Sequence, residues 1–467
     1  MNKGHHIPPL HQAALDGQYS TVELLLMNGA LIGAVDKDGN TPLHLAVWKR
    51  HSDVVELLLN KGSPIRTGND KWNTPLHLAA WNGHTDTAKL LLKENGPIDT
   101  LNRCGNAPLH LAASKGHTSV VELLLRGGAT IEVRGAYRNT PLHHATKSGC
   151  TGTVKLLLNE GASMQAQNEY NDTPLHFAAR NGYTGIAELL LNNGASTQAT
   201  GRLYCTPLHC AVENGHVDIV ELLLKKGALI DTSLHIAAQH GYADIVELLL
   251  RKRASIEAID RHNNTSLHIA ALYGNADIVE LLLGKGASTE AMDQNHNTPL
   301  HLATEHENTG VVELLLEKGA STEAIDKENN TPLHIAARHN YVGIAELLLE
   351  KGASIDAMNK TKCTPLHTTA WLGNAGIPVM KLLLRKGAPI EAMDQDGNTP
   401  LHIAANQGFI SVAELLLGKG ASIQAMDNDR NTPLHIAVIK GHIDAAKLLL
   451  GEGSSTEANF SENMEQR

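Results

Sequence analysis

The chain has 467 residues, 42% hydrophobic and 19% charged, with a net charge of −10 from 49 acidic and 39 basic side chains. That balance argues against nucleic-acid binding through a general positive field, and no apolar run approaches the roughly 18 residues that cross a bilayer. Aromatic residues are only 3%, so the core is expected to be built of Leu, Ala, Val and Ile, and five cysteines with no CxxC pair suit a reducing compartment.

From the N-terminus, MNKGHHIPPL has no apolar segment of the kind a secretory leader needs. HIPPLHQAALDGQYS then predicts a helix pair with no complete turn before it, and Gln12, Asp16, Gln18 and Tyr19 give it the polar surface of an end cap. The next stretch, DKDGNTPLHLAVWKRHSDVVELLLNKG (Asp36 to Gly62), defines a unit. Asp36, Asp38, Gly39 and Asn40 make a turn. Thr41 is a suitable N-cap, and Pro42 fits the first helical position, where its missing N–H is not needed. Leu43, Ala46 and Val47 form the apolar stripe of a short helix. A second helix covers about Asp53 to Asn60, with Val54, Val55, Leu57, Leu58 and Leu59 directed inward or between helices, and Gly62 ends it.

Leu-His pairs mark this unit fourteen times, ending at His11, His44, His77, His110, His143, His176, His209, His235, His268, His301, His334, His367, His402 and His435. The interval is 33 residues except from 209 to 235, where it is 26, and from 367 to 402, where it is 35. Helices this short are marginal alone, so stacked neighbours must complete each core: a solenoid.

Thr-Pro-Leu-His, the following Ala pair, Gly-His, the Leu-Leu-Leu run and a Gly-Ala before the turn recur at fixed offsets, and in this the chain closely resembles the ankyrin repeat family, from about Ile7 to Asn459. The resemblance implies a helix-dominated solenoid of antiparallel helix pairs in a curved array. It also implies a β-hairpin finger projecting from each repeat, with fingers and first helices lining a concave face. The expected organisation is a first block of seven repeats over 1–230, a second block of seven over 231–456, and a short polar tail over 457–467.

Two irregularities interrupt the period. Gly227 to His235, GALIDTSLH, lacks seven residues between Asp231 and Thr232, which removes one finger with its turn. The gap reads either as a notch in the binding face, or as a neutral deletion or gene-model error. Two extra residues in HTTAWLGNAGIPVMKLLL, near 375–378, are expected to bulge one interhelical loop, with Pro378 tolerated near the start of the second helix.

No catalytic residue, metal site, cofactor or small-molecule substrate is expected. The Leu-His histidines sit in separate repeats about 8–10 Å apart, too far to share a zinc ion at about 2 Å each. In the family this histidine ties its own turn together, which is the role expected here. GxSxG, GxxxxGK[ST], HExxH and a GxGxxG before a helix are all absent. The Asp-rich turns lack the spacing and terminal Glu of a calcium loop. Cys210 reads as a small buried hydrophobe, Cys104 and Cys363 as exposed thiols near finger turns.

Function must then lie in surface positions that the repeat leaves free. The pair four and five residues after each histidine varies between copies, as at Trp48-Lys49, Trp81-Asn82, Ser114-Lys115, Lys147-Ser148 and Arg180-Asn181. Finger tips carry Trp72, Tyr137, Tyr170 and Tyr204 in the first block, whereas second-block tips such as DRHNN and DKENN are polar. Trp48, Trp72 and Trp81 are therefore expected to anchor a partner protein, with Lys49, Arg50, Lys115, Lys147 and Arg180 suiting an acidic peptide. Against this stands the reading that Trp48 and Trp81 merely cover neighbouring apolar groups. The function expected is a monomeric, intracellular, cytoplasmic binding scaffold; the nucleus, or secretion as a microbial effector, fits the sequence as well. The alternative is a structural spacer or membrane-skeleton linker.

Overall fold

The computed structural model describes residues 7–230 and 232–451, so the polar tail over 457–467 lies outside the described residues. Among these, twenty-eight α-helices and three short 3-10 turns make up the chain, in two compact units, Met1–Ile230 and Asp231–Arg467. Within each unit, first helices pack on first helices of adjacent repeats and second helices on second helices.

The repeat Asp36 to Gly62 illustrates how the sequence dictates this. Thr41 precedes a proline and takes an extended conformation (φ −81°, ψ 165°), which ends the turn and opens the helix Pro42–Lys49. Leu43, Ala46 and Val47 are fully buried, and the alanines let successive first helices approach closely. Arg50, left-handed at φ 63°, ends that helix, and Ser52–Asn60 returns with Val54, Val55 and Leu58 buried. Its end is closed by Gly62 (φ 83°), with the Ser63 N–H donating to the Leu58 carbonyl at 2.9 Å.

The Leu-His histidine joins these parts. Nδ1 of His44 accepts the Thr41 N–H at 3.1 Å and lies 2.8 Å from the Thr41 hydroxyl. Nε2 of the same ring is 2.9 Å from the carbonyl of Asn73, 29 residues on. A carbonyl only accepts, so Nε2 carries the proton and the ring is a neutral tautomer. The histidine thus clasps its own helix start and also holds the next finger, a second duty that the sequence reading lacked. The pattern recurs through His77, His143, His176, His268, His301, His334, His367 and His402. At the two repeats that begin the units it is incomplete: Nδ1 of His11, preceded by Pro8 where all other repeats but that of His110 have Thr, and Nδ1 of His235 are buried without a partner.

A second stitch joins the interhelical loops. His117 Nε2 is 3.0 Å from the Trp81 carbonyl, and His51, His84, His216 and His442 reach back in the same way. The His117 ring lies under Gly83 so closely that a Cβ there would come within 2.6 Å, at a φ of +73°. These histidines are structural, as their position in the sequence suggests.

The fingers are tight hairpin loops with little laddering: the Asp36 N–H donates to the Asn40 carbonyl at 2.9 Å, and the same backbone bond recurs at Asn69–Asn73 and Gly201–Cys205. Among the described residues the only bridge is Ile259 to Thr265. Most tips are also closed by an acidic or amide side chain, as Asp36 Oδ1 accepts the N–H groups of Asp38 and Asn40 at 2.9 and 2.8 Å. Burial pushes the Asp36 carboxyl up, but those hydrogen bonds outweigh it and hold it below its usual value. The Asp-rich turns thus spend their lone pairs on their own backbone. The insertion near 375–378 becomes the 3-10 turn Gly373–Gly376, leading into Ile377–Arg385 with Pro378 in its first turn.

Two predictions follow from the clasp. Burial pushes His44, His77, His110 and His143 down to about 4, against the opposing hydrogen bonds from carbonyls. A depressed folded pKa means that the unfolded chain binds the proton first. Stability is therefore complete above about 6.5 and falls as pH drops from there to about 4, by up to about 1.4 kcal/mol per pH unit for each such histidine. Melting followed by circular dichroism is expected to shift down by on the order of 10 °C or more between about pH 7 and about pH 5; an unchanged melt would mean that the folded rings take up protons as readily as those of the unfolded chain. Second, Ala107 stands where other repeats have the clasp threonine, so His110 Nδ1 has only the Ala107 N–H, at 3.1 Å. Ala107→Thr is expected to stabilise the protein by about 1 kcal/mol in chemical denaturation, whereas a loss would show that the site cannot take the hydroxyl.

Candidate protein-interaction surface

Unit 1 presents three groups of exposed aromatic residues, each positioned by a different part of the repeat. The first is a cleft of about 400 Å³ between the helix Pro42–Lys49 and the neighbouring finger tips, lined by Trp48, His44, Leu45, Asp38, Asp70 and Lys71. Trp48 is 45% exposed. Two carboxylates face one ammonium here, so the cleft itself does not favour the acidic peptide that nearby basic residues suggested. An equivalent cleft of about 350 Å³ in unit 2 is lined by His301, Glu305, Asp326, Lys327, Glu328 and Arg338, with no tryptophan or tyrosine.

Trp81, one repeat on and 40% exposed, forms the second group with Lys115, whose ammonium sits 4.0 Å from the ring centroid. Lys115 is therefore already held by a cation–π contact. Trp72 is 63% exposed at its finger tip in a left-handed conformation (φ 58°), the place of glycine in DKDGN. Lys49, Arg50 and Lys147 are exposed and make no ion pair among the described residues.

The third group runs along the finger tips of later repeats. The rings of Tyr137 and Tyr170 are 6.0 Å apart, and the guanidinium of Arg202 lies 5.6 Å from the Tyr170 ring. Leu203 and Tyr204, on the same tip as Arg202, are 82% and 87% exposed. Arg202 and Leu203 were not picked out from the sequence, although GRLYC departs visibly from the Asp- or Asn-led tips.

Those tips fold differently because they lack the closing side chain. Gly135 and Gly201 stand where Asp36 stands, and a Cβ at Gly201 would lie 2.1 Å from Asp172 Oδ1. With no side-chain acceptor, the chain turns through two successive left-handed residues: Tyr137 and Arg138 (φ 55° and 57°), and Leu203 and Tyr204 (φ 56° and 62°). Turn bonds Asn139 N–H to Ala136 carbonyl and Cys205 N–H to Arg202 carbonyl, both 3.1 Å, make these type I′ turns. Non-glycine residues there cost about 1 kcal/mol each.

Tip-to-tip bonds show the same contrast. In unit 2 one runs between every consecutive pair of fingers: His262 carbonyl to Gln294 N–H, Asn295 to Lys327, Glu328 to Lys360, Thr361 to Gln395 and Asp396 to Asn428. In unit 1 they join Asp38 to Asp70, Lys71 to Arg103 and Tyr137 to Glu169, but no such bond reaches Ala136, and the Arg202 N–H turns to the Asp172 carboxylate at 3.2 Å.

Arg180 braces that arrangement. It is half-buried, with Nη1 3.3 Å from the buried Asp172 carboxylate and Nη2 3.6 Å from Cys210 Sγ. Burial pushes the Cys210 thiol up to about 12, so it stays protonated. Cys363 is half-buried rather than exposed, and its carbonyl accepts from His334. All five cysteines are free. Among the described residues no group of three or more His, Cys, Asp or Glu could hold a metal ion, and no helix is long and apolar enough to cross a membrane.

Comparison with known proteins agrees with this architecture. The family model for ankyrin repeats (3 copies) matches residues 10–100, 94–168, 153–233, 230–293, 267–359 and 366–460. The chain belongs to the ankyrin repeat family, whose repeats are general protein–protein interaction modules. A similar solved structure is the ankyrin repeat domain of Bcl-3, a member of the IkappaB protein family, at 29% identity, covering 43% of this chain and 92% of that one, with a TM-score of 0.40. No curated protein matches significantly.

Removing the Arg180 guanidinium leaves the Asp172 charge buried and the finger from Gly201 to Cys205 less well held. Arg180→Met is expected to destabilise unit 1 by about 2 kcal/mol in chemical denaturation; unchanged stability would return Arg180 to the list of free basic residues.

Proposed function

We propose that the protein is a non-enzymatic, monomeric scaffold or adaptor that binds a partner protein through unit 1, along the first-helix and finger-tip side of its repeats. What carries this reading is the uneven distribution of exposed large aromatic residues: Tyr19, Trp48, Trp72, Trp81, Tyr137, Tyr170 and Tyr204 in unit 1, against Tyr273 and Trp371 in unit 2. Exposed tryptophan and tyrosine are the residues most often found as interface anchors. Trp48 at the cleft, Trp81 and Trp72 are the residues proposed to engage the partner, with Lys49, Arg50, Lys115 and Lys147 around them. Recognition by a long shallow surface involves no bond chemistry, and the net charge of −10 weighs against direct nucleic-acid binding. Five free thiols suit an intracellular, reducing compartment.

A spacer role has an observation of its own in favour: the unbroken row of tip-to-tip bonds and polar tips in unit 2. The two readings divide the chain, with recognition in unit 1 and spacing in unit 2.

Co-purification from native lysate separates them. The intact chain is compared with a Trp48→Ala, Trp72→Ala, Trp81→Ala variant whose fold is verified by circular dichroism. One protein lost only from the variant is the expected result. The same partner retained by both moves the anchor elsewhere, and no specific partner on either leaves the spacer reading for the whole chain.

A further inference from the structure

The finger tips from Asn102 to Cys205 lie beyond the tips, Asp38 to Lys71, that line the Trp48 cleft. Tyr137, Tyr170 and Arg202 form a continuous ladder across three successive repeats, with separations of 6.0 and 5.6 Å. Leu203 and Tyr204 extend it and are the two most exposed large hydrophobic residues of the described chain. Two of the three tips hold these side chains out through paired left-handed residues, a backbone that glycine or asparagine would adopt with less strain. Strain retained at an exposed turn is a pointer to function.

The charge of the ridge identifies what it fits. On the tips from Asn102 to Cys205, the exposed charges are Arg103, Arg138 and Arg202 against Glu169 alone, in a chain whose net charge is −10. Asp172, the other carboxylate on these tips, is buried and neutralised by Arg180. An anionic ligand with apolar side chains would meet arginine at one step and an open tyrosine or leucine face at the next.

We propose that Tyr137, Tyr170, Arg202, Leu203 and Tyr204 form a docking ridge for an extended acidic peptide segment of a partner protein, its acidic side chains paired with the tip arginines and its aliphatic side chains lying on the tyrosine rings. This deepens, and rests on, the reading of unit 1 as the recognition half. A ladder of tyrosine and arginine also stacks unpaired bases, but the negative charge of the whole chain repels a polyanionic backbone more strongly than a short acidic peptide.

The test uses the full chain and fluorescence anisotropy with three labelled probes: a peptide of about twelve residues alternating glutamate and leucine, its lysine–leucine counterpart, and an oligo-uridine of similar length. The acidic peptide is expected to bind, at least about tenfold more tightly than the other two, and to weaken by about tenfold with Arg202→Glu or Tyr170→Ala. Tyr137→Asn with Tyr204→Asn removes both rings at left-handed positions that asparagine tolerates. Its melting temperature is therefore expected to hold or rise while peptide affinity falls about tenfold, which a merely folding-defective variant would not do. Trp48→Ala is expected to leave peptide binding unchanged. Absence of acidic-peptide binding, equal binding by the ridge variants, loss of binding in Trp48→Ala, or preference for oligo-uridine would each overturn the proposal. Should a lysate partner still depend on Trp48, Trp72 and Trp81 while the peptide fails, only the ridge is wrong and the adaptor reading stands.

Discussion

The neutral histidine of each Thr-Pro-Leu-His segment is the interaction on which the repeat depends. Its Nδ1 satisfies an otherwise orphaned N–H at the start of a two-turn helix, and its Nε2–H satisfies a carbonyl in the following finger. One buried ring thus fixes the entry of the chain into a helix and the spacing between repeats. Neither job could be left to the helices alone, because helices of seven to nine residues are too short to be stable without neighbours. Burial in a neutral form also ties the fold to pH, since the same ring is an ordinary base once the chain unfolds.

At the start of each unit the ring keeps its bond to the next finger but loses the one to its own helix start. His235 opens unit 2 with its Nδ1 unpaired, as His11 opens unit 1. The chemistry of the two starts is alike although one follows Pro8 and the other follows the shortened stretch after Gly227. Each unit therefore begins with a helix whose clasp is only half made.

Much of this was legible from the residues. Thr41 and Pro42 announce a helix start, Gly62 a helix end, and the period of 33 announces stacking, because each is a local rule. The second bond of the histidine was not legible, since its acceptor lies 29 residues away and is a backbone carbonyl with no side-chain signature. The fingers are the hairpins that the resemblance implies, but it did not indicate that Asp36 and its equivalents close the tips from the side chain as well as from the backbone. Among site residues, the exposure of Trp48, Trp72, Trp81 and the tip tyrosines follows from their position in the repeat. The engagement of Arg180 with Asp172, and of Lys115 with Trp81, does not, because it depends on which neighbour the adjacent repeat places opposite.

The tip-to-tip bonds have a mechanical side. A stack pulled along its length carries the load through whatever joins one repeat to the next. In unit 2 the finger row adds one backbone bond at each of five successive interfaces, so that row has no weak link of its own. In unit 1 the row is interrupted before Ala136 and diverted to the Asp172 side chain at Arg202. The tips that expose Tyr137 and Tyr204 therefore take no share of such a load through a backbone bond from the preceding tip, and there the packed helices carry it.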